Sequence, residues 1–160
     1  AHMLDLVDYL VGSLTTFNLS ATNRTGFYEA EDAVSLSAIT ESGVLVSGMW
    51  CYATYEAIDR FLIFGDRGSI EFPYYDNAAP LVLETIAGDP EEAIAVMGGV
   101  REEAPLERTE IFTDVDTYPG FGQIQDIVNE LRGVPGAICT STLDNAMKTL
   151  KITLAARNAR

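Results

Sequence analysis

The chain has 160 residues, 48% of them hydrophobic and 9% aromatic, with 24 acidic against 10 basic side chains and a formal net charge of −14. That is one domain's worth of chain with enough apolar residue to bury a core, which excludes a disordered acidic tail. So acidic a chain is repelled by phosphate backbones and anionic lipid, and it has neither a span-length apolar run nor a basic-then-apolar leader. We therefore expect no nucleic-acid partner and no membrane role, and the two cysteines, Cys51 and Cys139, point to a reducing, cytoplasmic setting.

In chain order, His2 to Leu14 reads as a helix: Leu6, Leu10 and Leu14 recur four residues apart, Met3 and Val7 adjoin them, and Gly12 is a stop signal. Thr15 to Thr22 is β-prone, and Asn23 to Asp32 reads as a connecting loop. Ala33 to Thr40 and Val44 to Ala53 form a hairpin pattern around Glu41-Ser42-Gly43. A second pair follows, Ile58 to Phe64 and Ser69 to Phe72, joined at Gly65-Asp66-Arg67-Gly68; Pro80 to Ala87 and Glu107 to Phe112 are further strand candidates. The chain closes with two helices. Gly122 to Leu131 carries Ile124, Ile127, Val128 and Leu131, and Ser141 to Asn158 has Leu143, Met147, Leu150, Leu154 and Arg157 along one side, with Ser141 or Thr142 as N-cap.

This order predicts an α+β fold with a large, open, mainly antiparallel sheet, not a doubly wound one. Val44 to Ala53 is apolar on both sides, and so is Ile58 to Phe64, whereas a half-solvated sheet alternates more cleanly. Helices cover one face; a homodimer packed sheet to sheet is the expected cover for the other.

The chemistry available is limited. There is one histidine, His2, so no multi-histidine metal site, and Cys51 and Cys139 make neither a disulfide framework nor a metal cluster. Between Glu84 and Asp116 lie ten acids and two bases; Asp114-Val115-Asp116 lacks the glycine and glutamate of a calcium loop, so the stretch is read as a solvated edge and no metal is expected. G-x-x-x-x-G-K-[ST] and G-x-G-x-x-G are both absent, so no nucleotide cofactor is expected on this chain.

Four segments together resemble one family. His2-Met3-Leu4-Asp5-Leu6-Val7-Asp8-Tyr9-Leu10-Val11-Gly12 is similar to the H-x-[IL]-D-[LV]-x-x-[YW]-L-x-G segment that opens the C-terminal domain of glucose-fructose oxidoreductase/inositol dehydrogenase/MocA (Gfo/Idh/MocA)-type enzymes. Glu31-Asp32-Ala33 leads into the hairpin at Gly43. Ile63 to Ile70 is similar to the I-x-G-x-x-G-x-[IL] turn, and Ser141 to Ala146, running on to Ala155-Ala156, to the closing S-x-x-[DE]-x-A helix. The resemblance covers the chain except for residues 88–106.

What the resemblance implies is a C-terminal α+β domain of the glyceraldehyde-3-phosphate dehydrogenase-like type. In that family it supplies half of the substrate pocket and the oligomer interface, while NAD or NADP is bound by a preceding Rossmann domain. The family's active-site histidine falls on His2, which could take the hydroxyl proton of a secondary alcohol. The assignment applies only if His2 is native, because Ala1-His2-Met3 also has the form of a vector remnant. Asp5, one turn on, is placed to orient the imidazole or bind a sugar hydroxyl. Arg24 and Tyr28, in the loop bordering the cleft, and Tyr55, after the second hairpin strand, are the other substrate-contact candidates; Trp50 and Tyr52 are read as core or dimer interface. The expected role is substrate binding and oligomerisation in an NAD(P)-dependent oxidoreductase acting on a sugar, cyclitol or related polyol, the fragment alone being inactive. The alternatives are a non-catalytic ligand-binding or dimerisation module of the same architecture, and a glycosidase using NAD in a redox elimination.

Overall fold

A computed structural model describes residues 2–76, 78–87, 106–112 and 120–158. The chain divides into two compact units, Ala1–Glu56 with Pro119–Arg160, and Ala57–Tyr118. The architecture is α+β, as the element order predicts, with all strand pairing antiparallel and the seven strands shared between a three-stranded and a four-stranded sheet among the described residues. The pair Asp114 and Asp116 lies outside the described residues.

The first unit opens with α1 (His2–Val11), which ends where Gly12 takes a φ of +97° and its N–H returns to the Asp8 carbonyl. The helix is three residues shorter than the leucine spacing suggests, because Leu14 already begins β1 (Leu14–Thr22). β1 pairs with β2 (Ala33–Thr40), and β2 with β3 (Leu45–Cys51), giving the order β1-β2-β3. Register fixes the faces. Phe17, Leu19 and Ala21, Val34, Leu36 and Ala38, and Val46, Gly48 and Trp50 share one face. Leu36 and Ala38 on it are buried. The opposite, open face carries Asn18 and Ser20, Ser35 and Ser37, and Ser47, with apolar residues concentrated at Ile39, Leu45 and Met49.

Two helices follow in this unit, α2 (Phe121–Leu131) and α3 (Leu143–Asn158). Thr142 caps α3: its Oγ1 accepts the Asn145 N–H at 3.3 Å and its carbonyl takes the Ala146 N–H. α3 runs antiparallel to α1, with the Thr149 hydroxyl donating to the Asp5 carboxylate and Lys148 Nζ reaching Ser13 Oγ at 2.7 Å and Asp8 at 3.7 Å. The side that α3 buries is Thr149 and Ile152, with Asn145 and Ala156 half-buried. Leu143, Met147, Leu150 and Leu154, the stripe prominent in the sequence, all remain exposed, and α2 buries none of its residues. Small and hydroxyl-bearing side chains let α3 lie close against α1 and the sheet, so its bulky leucines point away from this core.

The second unit is a meander, β4 (Phe61–Phe64), β5 (Gly68–Phe72), β6 (Leu81–Ile86) and β7 (Leu106–Ile111), in that spatial order. Phe61 and Phe72 stack across the first pair at 5.0 Å, and Ile63, Ile70, Leu83 and Leu81 continue that apolar face. The other face carries exposed ion pairs, Arg60 with Glu71 and Arg108 with Glu84 and Glu110, which add little to stability individually.

Candidate functional site at one end of the three-stranded sheet

The antiparallel order of α1, β1, β2, β3 and α3 brings five chain segments to one end of the first unit: the start of α1, the β1–β2 loop, the start of β2, the segment after β3, and the last turns of α3. A cavity of about 170 Å3 opens there, lined by Met3 and Leu4 of α1, Leu19, Val34, Leu36 and Trp50 of the sheet, Tyr52, and Ile152, Thr153 and Ala156 of α3. Its walls are mostly apolar. Trp50 floors it because position 48, two residues back on the same face, is glycine: a Cβ there would lie 2.6 Å from the indole ring. The ring occupies the room that the missing side chain leaves.

A buried carboxylate holds the first residues of the β1–β2 loop. Asp32, at 1% exposure, is the one fully buried large side chain among the described residues. Its Oδ1 accepts the Arg24 N–H at 2.8 Å, and its Oδ2 accepts the Thr25 N–H at 2.8 Å and the Thr25 hydroxyl at 2.7 Å. The Arg24 amide bond, followed by the Thr25 hydroxyl, holds the Asp32 carboxyl below the usual carboxylate range against the opposing effect of burial. Its backbone is bonded as well, N–H to the Thr22 carbonyl at 3.1 Å and C=O from the Tyr52 N–H at 2.8 Å. At the loop's tip Asn23 accepts the Gly26 N–H at 2.8 Å and donates to the Tyr28 carbonyl. Arg24, Phe27 and Tyr28 stand exposed on this framework.

The five residues singled out in the sequence are all on these segments. His2 begins α1 and is exposed; Asp5, a turn later, is engaged by Thr149 of α3. Arg24 and Tyr28 are on the clamped loop, and Tyr55, beyond β3, is fully exposed. They share a region, and no hydrogen bond joins any two of the five among the described residues. Asp32 was not among the candidates. The sequence signal for it was faint, an acid at a loop–strand junction following Asn-Arg-Thr-Gly, and only the fold shows that those amides turn back onto it.

The described residues do not provide a dinucleotide cradle. Such a cradle needs a strand, a glycine-rich turn and a helix N-terminus in succession. Here every described strand pairing is antiparallel, and α2 starts after Gly120 with no strand leading into it in the described residues. No three His, Cys, Asp or Glu side chains among the described residues are grouped to hold a metal, and no described helix is long and apolar enough to cross a membrane.

No protein-family model and no curated protein matches the chain. Solved structures do. The UDP-N-acetylglucosamine 3-dehydrogenase GnnA from Acidithiobacillus ferrooxidans matches with a TM-score of 0.71 at 16% identity, over 99% of this chain and 46% of that one. The fold is that of part of an oxidoreductase. An oxidoreductase domain protein from Kribbella flavida matches at TM-score 0.70 and 17% identity over 99% and 45% of the two chains. A levoglucosan dehydrogenase solved with NADH and levoglucosan matches at 0.67 and 16% over 99% and 46%. The chain thus spans less than half the length of these matches. A whole-chain match to part of such enzymes agrees with the resemblance to the C-terminal domain of Gfo/Idh/MocA-type oxidoreductases.

Proposed function

We propose that this chain is the substrate-binding and oligomerising part of an NAD(P)-dependent oxidoreductase acting on a sugar, cyclitol or related polyol. The observation that carries the reading is the whole-chain fold match to 45–46% of proteins that include a UDP-N-acetylglucosamine dehydrogenase and a levoglucosan dehydrogenase with bound NADH. In this reading the cofactor's phosphates are held by a separate Rossmann domain. The exposed apolar stripes of α2 (Ile124, Ile127, Leu131) and α3 (Leu143, Met147, Leu150, Leu154) are surfaces that such a domain would cover, since isolated domains rarely leave two helix faces so apolar.

In this reading the substrate lies at the end of the β1–β3 sheet. His2 takes the hydroxyl proton of the alcohol being oxidised; Asp5 fixes the head of α1 through Thr149 and offers its remaining carboxylate capacity to a sugar hydroxyl. Arg24, Tyr28 and Tyr55 contact the substrate, the rings presenting faces on which a pyranose can lie. A homodimer forms across the open sheet face, with Leu45 and Met49, each 80% exposed, as its apolar contacts. The protein works in the cytoplasm.

NADH fluorescence tests the division of labour. The chain alone should neither enhance nor quench the cofactor's emission and should turn over no sugar. NADH binding by these 160 residues would contradict the assignment.

A further inference from the structure

We propose that Asp32 is the positioning residue of the substrate-contacting β1–β2 loop: its buried carboxylate sets one conformation for residues 23–31 and so presents Arg24, Phe27 and Tyr28 to ligand as a preformed rim. The proposal rests on the reading above for the loop's role, but the clamp itself rests on geometry alone. A ten-residue connection between two strands ordinarily samples many conformations. This one is drawn in by three short hydrogen bonds to a single carboxylate, two of them from consecutive main-chain amides, at 2.8, 2.8 and 2.7 Å. The carboxylate is 1% exposed, so its donors cannot be exchanged for water without opening the loop. The clamp acts at Arg24 itself: the residue whose side chain is offered to ligand donates its own amide to Asp32. Asp32 also accepts, through its main-chain carbonyl, the N–H of Tyr52, which lines the cavity below. One residue thereby ties the loop to the cavity wall. Preforming the rim removes the ordering cost that binding would otherwise carry.

Backbone-amide hydrogen exchange, read by NMR on the wild type, Asp32→Asn and Thr25→Val, tests the clamp. Asp32→Asn places an amide NH2 against N–H donors; Thr25→Val removes only the hydroxyl donor and spares the buried carboxylate. Exchange at Arg24 and Thr25 should rise at least tenfold in Asp32→Asn and less in Thr25→Val, while Leu36 and Ala38 inside β2 keep their rates. Titration with UDP-N-acetylglucosamine and with levoglucosan is the second arm: resonances of Arg24 to Tyr28 should move in the wild type and move less in both variants. Unchanged exchange at Arg24 and Thr25, or a rise shared equally by Leu36 and Ala38, overturns the clamp. Local exchange changes with identical titrations in wild type and variants overturn the positioning role. A wild type that responds to neither sugar overturns the substrate reading, and with it the loop's role in binding, leaving Asp32 a loop anchor only.

Discussion

Gly68 is a glycine because of what lies across the sheet from it. A Cβ at this position would sit 1.9 Å from the Glu84 carbonyl oxygen of β6, a backbone atom that cannot move aside without breaking the β5–β6 ladder. Gly65, at the other end of the same turn, would place a Cβ no closer than 3.7 Å to any atom. Urea denaturation should therefore report a loss of at least about 2 kcal/mol for Gly68→Ala, and well under 1 kcal/mol for Gly65→Ala. The motif marks both glycines; only the cross-strand register distinguishes them. Thr40 makes a similar point at the first hairpin. At 2% exposure its hydroxyl accepts the Val44 N–H at 3.0 Å and bonds Ser42 at 2.9 Å, so the near-isosteric Thr40→Val should cost about 1–2 kcal/mol. Asp32 supplies the pH dependence. Its folded-state pKa is depressed, so its contribution is complete above the unfolded carboxylate value near 4 and is lost as pH falls through the lower folded value. Amide protection at Arg24 and Thr25 should accordingly persist at pH 4 and weaken only in stronger acid, with no such acid transition in Asp32→Asn.

At the level of elements, strand pairing was readable because alternation, the Gly43 turn and the Gly65–Gly68 turn are local signals. β2 (Ala33–Thr40) follows its pattern to the residue, with Leu36, Ala38 and Thr40 buried and Ser35 and Ser37 exposed. Helix faces were less legible. α3 presents a leucine stripe that any periodicity argument selects, yet Leu143 is 77% exposed and Ile152 is 7% exposed. Hydropathy says which face of a helix must be covered; it does not say by what, and here the unit's own core takes the smaller face. The candidate site was proposed only as far as the resemblance carried it. His2, Asp5, Arg24, Tyr28 and Tyr55 fall on segments at one sheet end, but Asp32 depends on a loop folding back, which no spacing rule encodes. Thermal or urea unfolding separates the two faces of α3: Ile152→Ala should cost about 2–4 kcal/mol, and Leu143→Gln about 0.5 kcal/mol or less.

For the whole molecule, large apolar side chains stand exposed on α2, α3 and the open face of the β1–β3 sheet among the described residues. The open face of the β1–β3 sheet, polar at Asn18, Ser35, Ser37 and Ser47 but apolar at Leu45 and Met49, is the surface assigned to the dimer. Sedimentation equilibrium should find a dimer at micromolar concentration, and Met49→Lys should shift it toward monomer; a stable wild-type monomer would contradict that assignment. In the proposed function the chain binds the sugar and leaves the nicotinamide to another domain. The most direct test of that division is one set of 15N-resolved NMR titrations of the chain, with UDP-N-acetylglucosamine, levoglucosan and NADH. At least one sugar should shift resonances, confined to residues at the head of α1, Arg24 to Tyr28 and Trp50 to Tyr55, and NADH should shift none. Shifts with NADH, or sugar-induced shifts located away from that end of the sheet, would contradict it.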